Sequence, residues 1–209
     1  MLRVIFPVKF LGFYTCPLFV FFVVVFLGDV GSRVLFGRLA CLVVDYYGNL
    51  LVADVIKGLV LRFSPQGEVL PSFGSAGTED GQFNRPLSVT VDAAGRVYVL
   101  DSLNFRIEVL DSSGHGLSLI GELGDVPGTF SRPRGLAVDS SGHVYVADAA
   151  FDNIQIFDPQ GHLLLIFGSG GKTGLSLPAG LFIDHEDRIY AVDSHNHQLQ
   201  IYQYLSAKP

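Results

Sequence analysis

The segment Pro133-Arg-Gly-Leu-Ala-Val-Asp-Ser-Ser-Gly-His-Val-Tyr-Val-Ala-Asp148 decides the fold, because similar phrases occur three more times along the chain. The copy before it is Pro86-Leu-Ser-Val-Thr-Val-Asp-Ala-Ala-Gly-Arg-Val-Tyr-Val-Leu-Asp101, and more divergent copies run from Leu39 to Asp54 and from Pro178 to Asp193. The first Asp of each copy lies at position 45, 92, 139 or 184, a spacing of about 47 residues. A fixed period of this size predicts a repeat architecture. Residues present in every copy are then expected to be structural, and function is to be sought where the copies differ.

Each copy is predicted to contain four short strands. In the third copy, the apolar run Leu136-Ala-Val138 predicts a buried strand, and Asp139-Ser-Ser-Gly142 predicts a turn in which Asp bonds to the backbone. Further strands are predicted over His143–Ala147, Ile154–Phe157 and Leu163–Phe167. Four-stranded repeats of this length are typical of propeller blades. The sequence therefore predicts an all-β fold, a β-propeller of four-stranded antiparallel blades.

A longer pattern surrounds these strands. It comprises Gly128-Thr-Phe130, Pro133 to Asp148 and Ile154-Gln-Ile-Phe157 in the third copy, and Gly81-Gln-Phe83, Asn84-Arg-Pro86 and Asn104-Phe-Arg-Ile107 in the second. This pattern resembles the NHL-repeat family of β-propellers, and four NHL-type repeats are visible between about residues 37 and 204. The first copy departs most, with Leu39 for Pro and Cys41 for Gly. The last copy has Asp187 where the turn glycine belongs, a replacement that the left-handed conformation tolerates.

We expect a propeller domain over residues 29–209, with blades at about 37–80, 81–127, 128–173 and 174–209. The resemblance implies six blades as the usual number, so four repeats predict a partial or small propeller. The fourth copy stops at Tyr204 without an outer strand, whereas Arg33-Val-Leu-Phe-Gly37 resembles the outer-strand ending Leu165-Ile-Phe-Gly168. We therefore hypothesise that residues 33–37 complete the last blade and protect its edge. The alternative is an incomplete propeller, either a fragment or an open arc that self-associates through its exposed edges.

The N-terminal segment is different in kind, because the 19 residues from Phe10 to Gly28 carry no charge. That length suits a transmembrane helix. We expect residues 1–28 to be a membrane anchor or an export signal, with membrane contact through residues 10–28 and the propeller outside the cytoplasm. A cleaved signal peptide is one alternative, although no A-x-A-like site follows the run. A buried β-segment is another, since the run is rich in Val and Phe and contains Pro17.

The overall charge argues against nucleic acid as a partner. The chain has 14 Lys and Arg against 20 Asp and Glu, a formal net charge of −6, whereas nucleic-acid binding depends on cationic side chains that neutralise phosphates. The two cysteines form no CxxC pair, so no zinc or redox motif is indicated.

Candidate binding residues lie where the copies differ. In a meander blade, the loop between the second and third strands shares a face with the connection that enters the blade. The resemblance implies that partners bind on such a face or at the mouth of the channel. The candidates on this face are Arg85, Asn104, Phe105, Arg132, Arg134, Phe151, Asp152, Asn153, His195, Asn196 and His197. The expected partner is a protein, a peptide or a glycan.

No cofactor is predicted, with Ca or Zn as the alternative. His195-x-His197 is a weak metal candidate, because zinc requires a third or fourth ligand. The repeated Asp residues are better explained by turn capping than by a metal ring.

The sequence thus favours a non-enzymatic binding scaffold or sensor. The resemblance leaves two alternatives open: a metal-dependent propeller enzyme of the lyase or lactonase type, and an RNA-binding or ubiquitin-ligase-associated propeller. Stacking of bases on aromatic side chains beside arginines would be the mechanism of the RNA-binding alternative.

Overall fold

The computed structural model describes residues 37–170 and 174–204 together with a short strand at Val8–Lys9. Every element in these parts of the chain is a β-strand. No helix long and apolar enough to cross a membrane occurs among these residues. The predicted anchor or transmembrane helix at residues 10–28 lies outside the described residues, and membrane attachment stays a prediction.

The strands form four antiparallel sheets, which we call blades 1 to 4. Strand β1 is Val8–Lys9. Blade 1 contains β2 (Leu39–Val44), β3 (Leu50–Asp54), β4 (Leu59–Phe63) and β5 (Val69–Phe73). Blade 2 contains β6 (Pro86–Val91), β7 (Val97–Asp101), β8 (Arg106–Leu110) and β9 (Gly116–Ile120). Blade 3 contains β10 (Pro133–Val138), β11 (Val144–Asp148), β12 (Asn153–Phe157) and β13 (Leu163–Phe167). Blade 4 contains β14 (Pro178–Ile183), β15 (Ile189–Asp193) and β16 (Gln198–Tyr202), with β1 as its outer strand.

The blades pack face to face, with the inner strand of each blade against that of the next, β2 on β6, β6 on β10 and β10 on β14. In blades 2 and 3 the second strand is buried on both faces because its side chains alternate between two neighbouring blades. In β11, Val144 and Val146 pack toward blade 2, while Tyr145 and Ala147 pack toward blade 4. The predicted all-β propeller of four-stranded antiparallel blades is therefore confirmed.

The turns follow the predicted chemistry. Oδ1 of Asp139 accepts hydrogen bonds from the amides of Ser141 and His143, both at 2.9 Å, and Gly142 has φ 84°. In blade 4 the same position belongs to Asp187, which has φ 56° as predicted. Its carboxylate also reaches blade 3, where Oδ2 accepts a bond from Oγ of Ser140 at 2.6 Å and Oδ1 one from the Ser140 amide at 2.9 Å.

The fourth blade obtains its outer strand from the start of the chain, as hypothesised, but not from residues 33–37. Strand β1 pairs antiparallel with β16, with Val8 opposite Leu199 and Lys9 opposite Gln198. Residues 33–36 lie outside the described parts of the chain. The amide of Gly37 donates a hydrogen bond to Oδ2 of Asp54 at 2.7 Å, so this end of the hypothesised strand is committed to blade 1.

The two terminal blades differ in the face that they turn away from their neighbour. On blade 1 this face is buried, since Val52 and Phe63 are 0% exposed. On blade 4 it is open, since Phe182 is 62% and Val192 43% exposed. Apolar surface that could support the predicted self-association is thus found on blade 4, and self-association itself stays a prediction.

Candidate functional site

The face that carries the candidate residues is built on four buried carboxylates, at Asp54, Asp101, Asp148 and Asp193, each 0% exposed. Oδ2 of Asp148 accepts a hydrogen bond from the amide of Ser131 at 2.8 Å, and its Oδ1 accepts bonds from the amides of Arg132 at 3.0 Å and Ala150 at 2.9 Å. One side chain thus ties the linker that enters a blade to the turn after its second strand. These carboxylates and those of the turns accept hydrogen bonds from backbone amides, as the turn-capping interpretation of the repeated Asp residues predicts.

We call this surface the loop face; it consists of the turns after β3, β7, β11 and β15 and the linkers that enter the four blades. Six non-glycine residues in the described part of the chain have positive φ, and five of them lie here: Arg85, Phe105, Asp152, Leu177 and His197. Gly58 holds the turn position in blade 1 that Phe105, Asp152 and His197 hold in the others. A side chain in this conformation costs about 1–2 kcal/mol, so other contacts must offset it.

Several of the candidate residues provide such structural contacts. Oδ1 of Asp152 accepts a bond from the amide of Leu177 at 2.7 Å, which joins blade 3 to the linker of blade 4. Phe105 packs against the apolar core between blades 2 and 3. Nδ2 of Asn104 donates to Oδ2 of Asp101 at 2.6 Å and to the carbonyl of Gly77 at 3.0 Å.

Asn196 repeats the role of Asn104 in blade 4. Its Nδ2 donates to Oδ2 of Asp193 at 2.9 Å and to the carbonyl of Gly174 at 3.2 Å. Asn153 is buried at the start of β12, and Phe151 is half-buried beside it. These residues therefore brace the loop face, and only part of the candidate set is presented to solvent.

The exposed part is basic. Arg85, Arg132 and Arg134 are exposed on the loop face, and none of the three forms an ion pair with another described residue. Partial burial lowers the pKa of Arg134, and the charges of Arg132 and Arg85 lower it further. The guanidinium groups of Arg132 and Arg85 are thus close enough to that of Arg134 to act on its charge. We call these three residues the arginine cluster.

Local backbone geometry explains why Arg134 belongs to the cluster. The pairing of β10 with β11 shifts register between Pro133 and Gly135, so Arg134 has no residue opposite it. A residue at such a bulge is turned out of the regular ladder. Arginine directly precedes the inner strand in blades 1 to 3, as Arg38, Arg85 and Arg132, whereas Leu177 takes this position in blade 4.

A depression of about 340 Å³ opens on the loop face between blades 3 and 4. It brings together four residues that the sequence analysis singled out and three that it missed, namely Arg132, Arg134, His195 and His197 with Ala149, Leu177 and Ser194. Leu177 could have been found from the repeat, because it stands where blades 2 and 3 have arginine. Its side chain is 40% exposed and gives the depression an apolar part.

Exposed apolar side chains also lie on the loop face. Ile56 is 69% and Leu103 46% exposed, each at the tip of the turn that follows a buried Asp. His195 occupies the same position in blade 4. The sequence analysis missed Ile56 and Leu103, although their position two residues after the repeated Asp was a usable signal. Exposed apolar and basic residues are thus interspersed on the loop face, with Ile56, Leu103 and Leu177 on blades 1, 2 and 4 and with Arg85, Arg132 and Arg134 on blades 2 and 3.

Within the described residues, no group of three or more His, Cys, Asp and Glu side chains is arranged to hold a metal ion. His195 and His197 are both exposed and line the same depression. A metal ion bound in this depression would therefore find at most two imidazole ligands, those of His195 and His197, among these residues.

The sequence matches the family model of the NHL repeat over residues 83–110 and 130–157. The chain contains NHL repeats. The matched NHL repeats are the second and third copies, and each runs from the phenylalanine of the linker to the end of the third strand of its blade. No curated protein matches the chain.

Three solved structures with a similar fold are distant from this chain in sequence. A catalytically inactive virginiamycin B lyase from Staphylococcus aureus, solved with quinupristin, is 11% identical with a TM-score of 0.60, over 81% of this chain and 56% of that one. The WD40 repeats of RRP9 are 14% identical with a TM-score of 0.65, over 81% and 49%. An auxiliary nutrient binding protein from Bacteroides thetaiotaomicron is 16% identical with a TM-score of 0.60, over 78% and 47%.

The chain therefore spans only about half the length of these structures. At such identities the likeness extends to the propeller fold alone. The neighbours include a lyase and binding proteins, and the fold hosts both.

Proposed function

We propose that this NHL-repeat propeller is a non-enzymatic binding scaffold that holds a protein, peptide or glycan partner on its loop face. The observation that carries the proposal is the contrast between a rigid frame and an open surface. The frame consists of buried carboxylates such as Asp148, whose oxygens are hydrogen-bonded to linker and turn amides. Rigid blades that display varied loop residues are suited to partner recognition.

The side chains on this frame have the composition of an interface. Ile56, Leu103 and Leu177 expose apolar surface on the loop face, and Leu177 lines the same depression as Arg132 and Arg134. Arginine is enriched among the residues that carry binding energy at protein interfaces, whereas lysine is depleted there.

Site-specific photo-crosslinking tests the proposal. The photo-reactive residue p-benzoylphenylalanine is introduced in place of Ile56 on the loop face or, as the control, in place of Tyr47. Tyr47 lies in the Asp45–Asn49 turn at the opposite end of the same blade and is 70% exposed. Both variants are expressed in the cells that make the protein, and adducts are identified by mass spectrometry.

We expect a discrete adduct at position 56 and none at position 47. Adducts that form equally at both ends of the blade, or only at position 47, would remove the loop face as the binding surface.

A further inference from the structure

The arginine cluster is an uncompensated concentration of positive charge. Arg132 and Arg134 line the depression, and Arg85 is near enough to lower the pKa of Arg134. None of them is neutralised by a described carboxylate, although the chain carries a net charge of −6. Bringing like charges together costs free energy that a bound anion would recover. The depression is therefore prepared for an anionic group.

The chemistry of the depression selects among anions. Guanidinium groups bind carboxylates through two parallel hydrogen bonds. Leu177 and Ala149 add apolar wall next to the arginines, while Ser194 and the two histidines add polar groups. A volume of about 340 Å³ is at the lower end of the range of ligand sites. It is suited to one acidic side chain with adjoining backbone and apolar atoms.

Nucleic acid fits these observations less well. Single strands bind through phosphate contacts together with bases stacked on exposed aromatic rings. Phe105, one of the two aromatic candidates on this face, packs into the core between blades 2 and 3. Phe151 is half-buried.

We propose that the depression between blades 3 and 4 binds an Asp or Glu side chain of an acidic peptide segment in the partner. This proposal rests on the proposed scaffold function and specifies the chemistry of the partner. Arg132 and Arg134 hold the carboxylate, and Arg85 strengthens the local positive potential. Leu177 contacts the aliphatic part of the bound segment.

The test is a selection from a random twelve-residue peptide library on the full-length chain in mild detergent. Three variants accompany the wild type. The first, Arg132→Gln/Arg134→Gln, removes the two charges that line the depression. The second, Arg96→Gln/Arg188→Gln, removes two charges at the opposite end of the blades and so gives the same net charge. The third, Arg132→Lys/Arg134→Lys, keeps the charge but loses the forked geometry. Thermal melting confirms that each variant is folded.

Wild type and the Arg96→Gln/Arg188→Gln control are expected to select peptides enriched in Asp and Glu. The Arg132→Gln/Arg134→Gln variant should lose this enrichment and bind a selected peptide at least about tenfold more weakly by fluorescence anisotropy. The lysine variant should fall between the two. Replacing the Asp or Glu of that peptide by Asn or Gln should weaken binding to the wild type by a similar factor. The same replacement should leave binding to the Arg132→Gln/Arg134→Gln variant almost unchanged.

Other outcomes overturn the inference. Peptides selected without acidic enrichment, or no selected peptides at all, would exclude a carboxylate site, while crosslinking at position 56 decides separately on the scaffold function. An acidic enrichment that survives in Arg132→Gln/Arg134→Gln would place the site elsewhere. Binding of a labelled 20-mer oligouridine that depends on Arg132 and Arg134, without selection of acidic peptides, would assign the depression to nucleic acid instead.

Discussion

The buried carboxylate of Glu108 accepts a hydrogen bond from the backbone amide of Gly81 at 2.6 Å and so fastens β8 to the linker that enters blade 2. Gln155 makes the equivalent bond in blade 3, where its Oε1 accepts from the amide of Gly128 at 2.9 Å. The Nε2 of Gln155 also donates to the carbonyl of Thr129 at 2.8 Å. Glu108 has no donor for this second bond, and its Oε2 lacks a hydrogen-bond partner among the described residues. The equivalent position thus makes two hydrogen bonds to the linker in blade 3 but only one in blade 2.

Glu108→Gln is expected to stabilise the protein by about 1–2 kcal/mol at pH 7, because an amide can donate to the carbonyl of Gln82 as Gln155 does to Thr129. Burial raises the pKa of Glu108, although the Gly81 amide and the charge of Arg106 oppose the shift. A raised folded-state pKa means that stability is lost as pH rises through it. The gain should therefore be smaller at pH 4 than at pH 7 in urea unfolding.

The reverse change, Gln155→Glu, is the control and should destabilise blade 3 for the same reason. Loss of stability in Glu108→Gln would mean that the pairing of Glu108 with Arg106, whose Nη2 lies 3.7 Å from Oε2, outweighs the missing bond.

Asp193→Asn is expected to cost about 2–4 kcal/mol at pH 7, since charge-assisted bonds to a buried carboxylate are lost. Burial alone would raise the pKa of Asp193, but hydrogen bonds from Gln198, Asn196 and the amide of Ser176 outweigh it and lower the pKa. A lowered folded-state pKa gives stability that is present above the ordinary value of 3.8 and lost as pH falls.

Denaturant unfolding between pH 2 and pH 7 should therefore show that the difference in unfolding free energy between wild type and Asp193→Asn decreases toward low pH. Asp125→Asn, at an exposed position of the linker between blades 2 and 3, serves as the control and should leave the curve unchanged. A gap that is constant across this pH range would show that the charge of Asp193 is not what stabilises blade 4.

Gly121→Ala should destabilise the fold by about 3 kcal/mol or more, because it combines overpacking with an unfavourable backbone conformation. Gly121 has φ 80°, and a Cβ atom there would overlap the ring of Phe130, which fills the core between blades 2 and 3. Gly95 has nearly the same φ, 79°, but open space around it. Gly95→Ala should therefore cost only about 1 kcal/mol. Equal losses in thermal melting would mean that Phe130 can move aside.

Asp187→Gly should lower stability by about 1 kcal/mol even though glycine suits φ 56° better than Asp, because two hydrogen bonds to Ser140 are lost. In a Ser140→Ala background only the bond to the amide remains, so the same change should cost less there. A double-mutant cycle measured by urea unfolding yields this coupling. No coupling would mean that the link between blades 3 and 4 is not formed in solution.

The strands were predictable because each repeat carries its own signals. Strand β13 coincides with the predicted Leu163–Phe167, and β11 is displaced by one residue from His143–Ala147. Asp and Gly fix the turns locally, and the alternation of apolar residues fixes the faces. The two-residue strand β1 has no such signal, and its partner is almost the whole chain away, so only its existence and not its position could be anticipated.

The candidate site was predictable only as a surface. Comparison of the repeats shows which positions vary, but it cannot tell a residue that meets solvent from one that bridges two blades. Asn104 and Asp152 vary and yet are committed to hydrogen bonds within the frame. Arg134 was a candidate from the sequence, but the bulge in β10 that turns it out of the strand ladder is visible only in the structure. Leu177 gives the depression its apolar part because it stands where blades 1 to 3 have arginine. A residue-by-residue alignment of the four copies shows this difference from the sequence alone.

Because β1 pairs with β16, blade 4 cannot be completed during synthesis until β16 has been made. Blades 1 to 3 each consist of four consecutive strands, so each can form as soon as its own segment has left the ribosome. Val8 is synthesised first among these strands but cannot pair until Leu199 has been made. Until then β16 has no outer neighbour, and its free edge can pair with another nascent chain. The strand that is made first among those described is thus the last to pair, and crowded polysomes are where errors in this blade should arise.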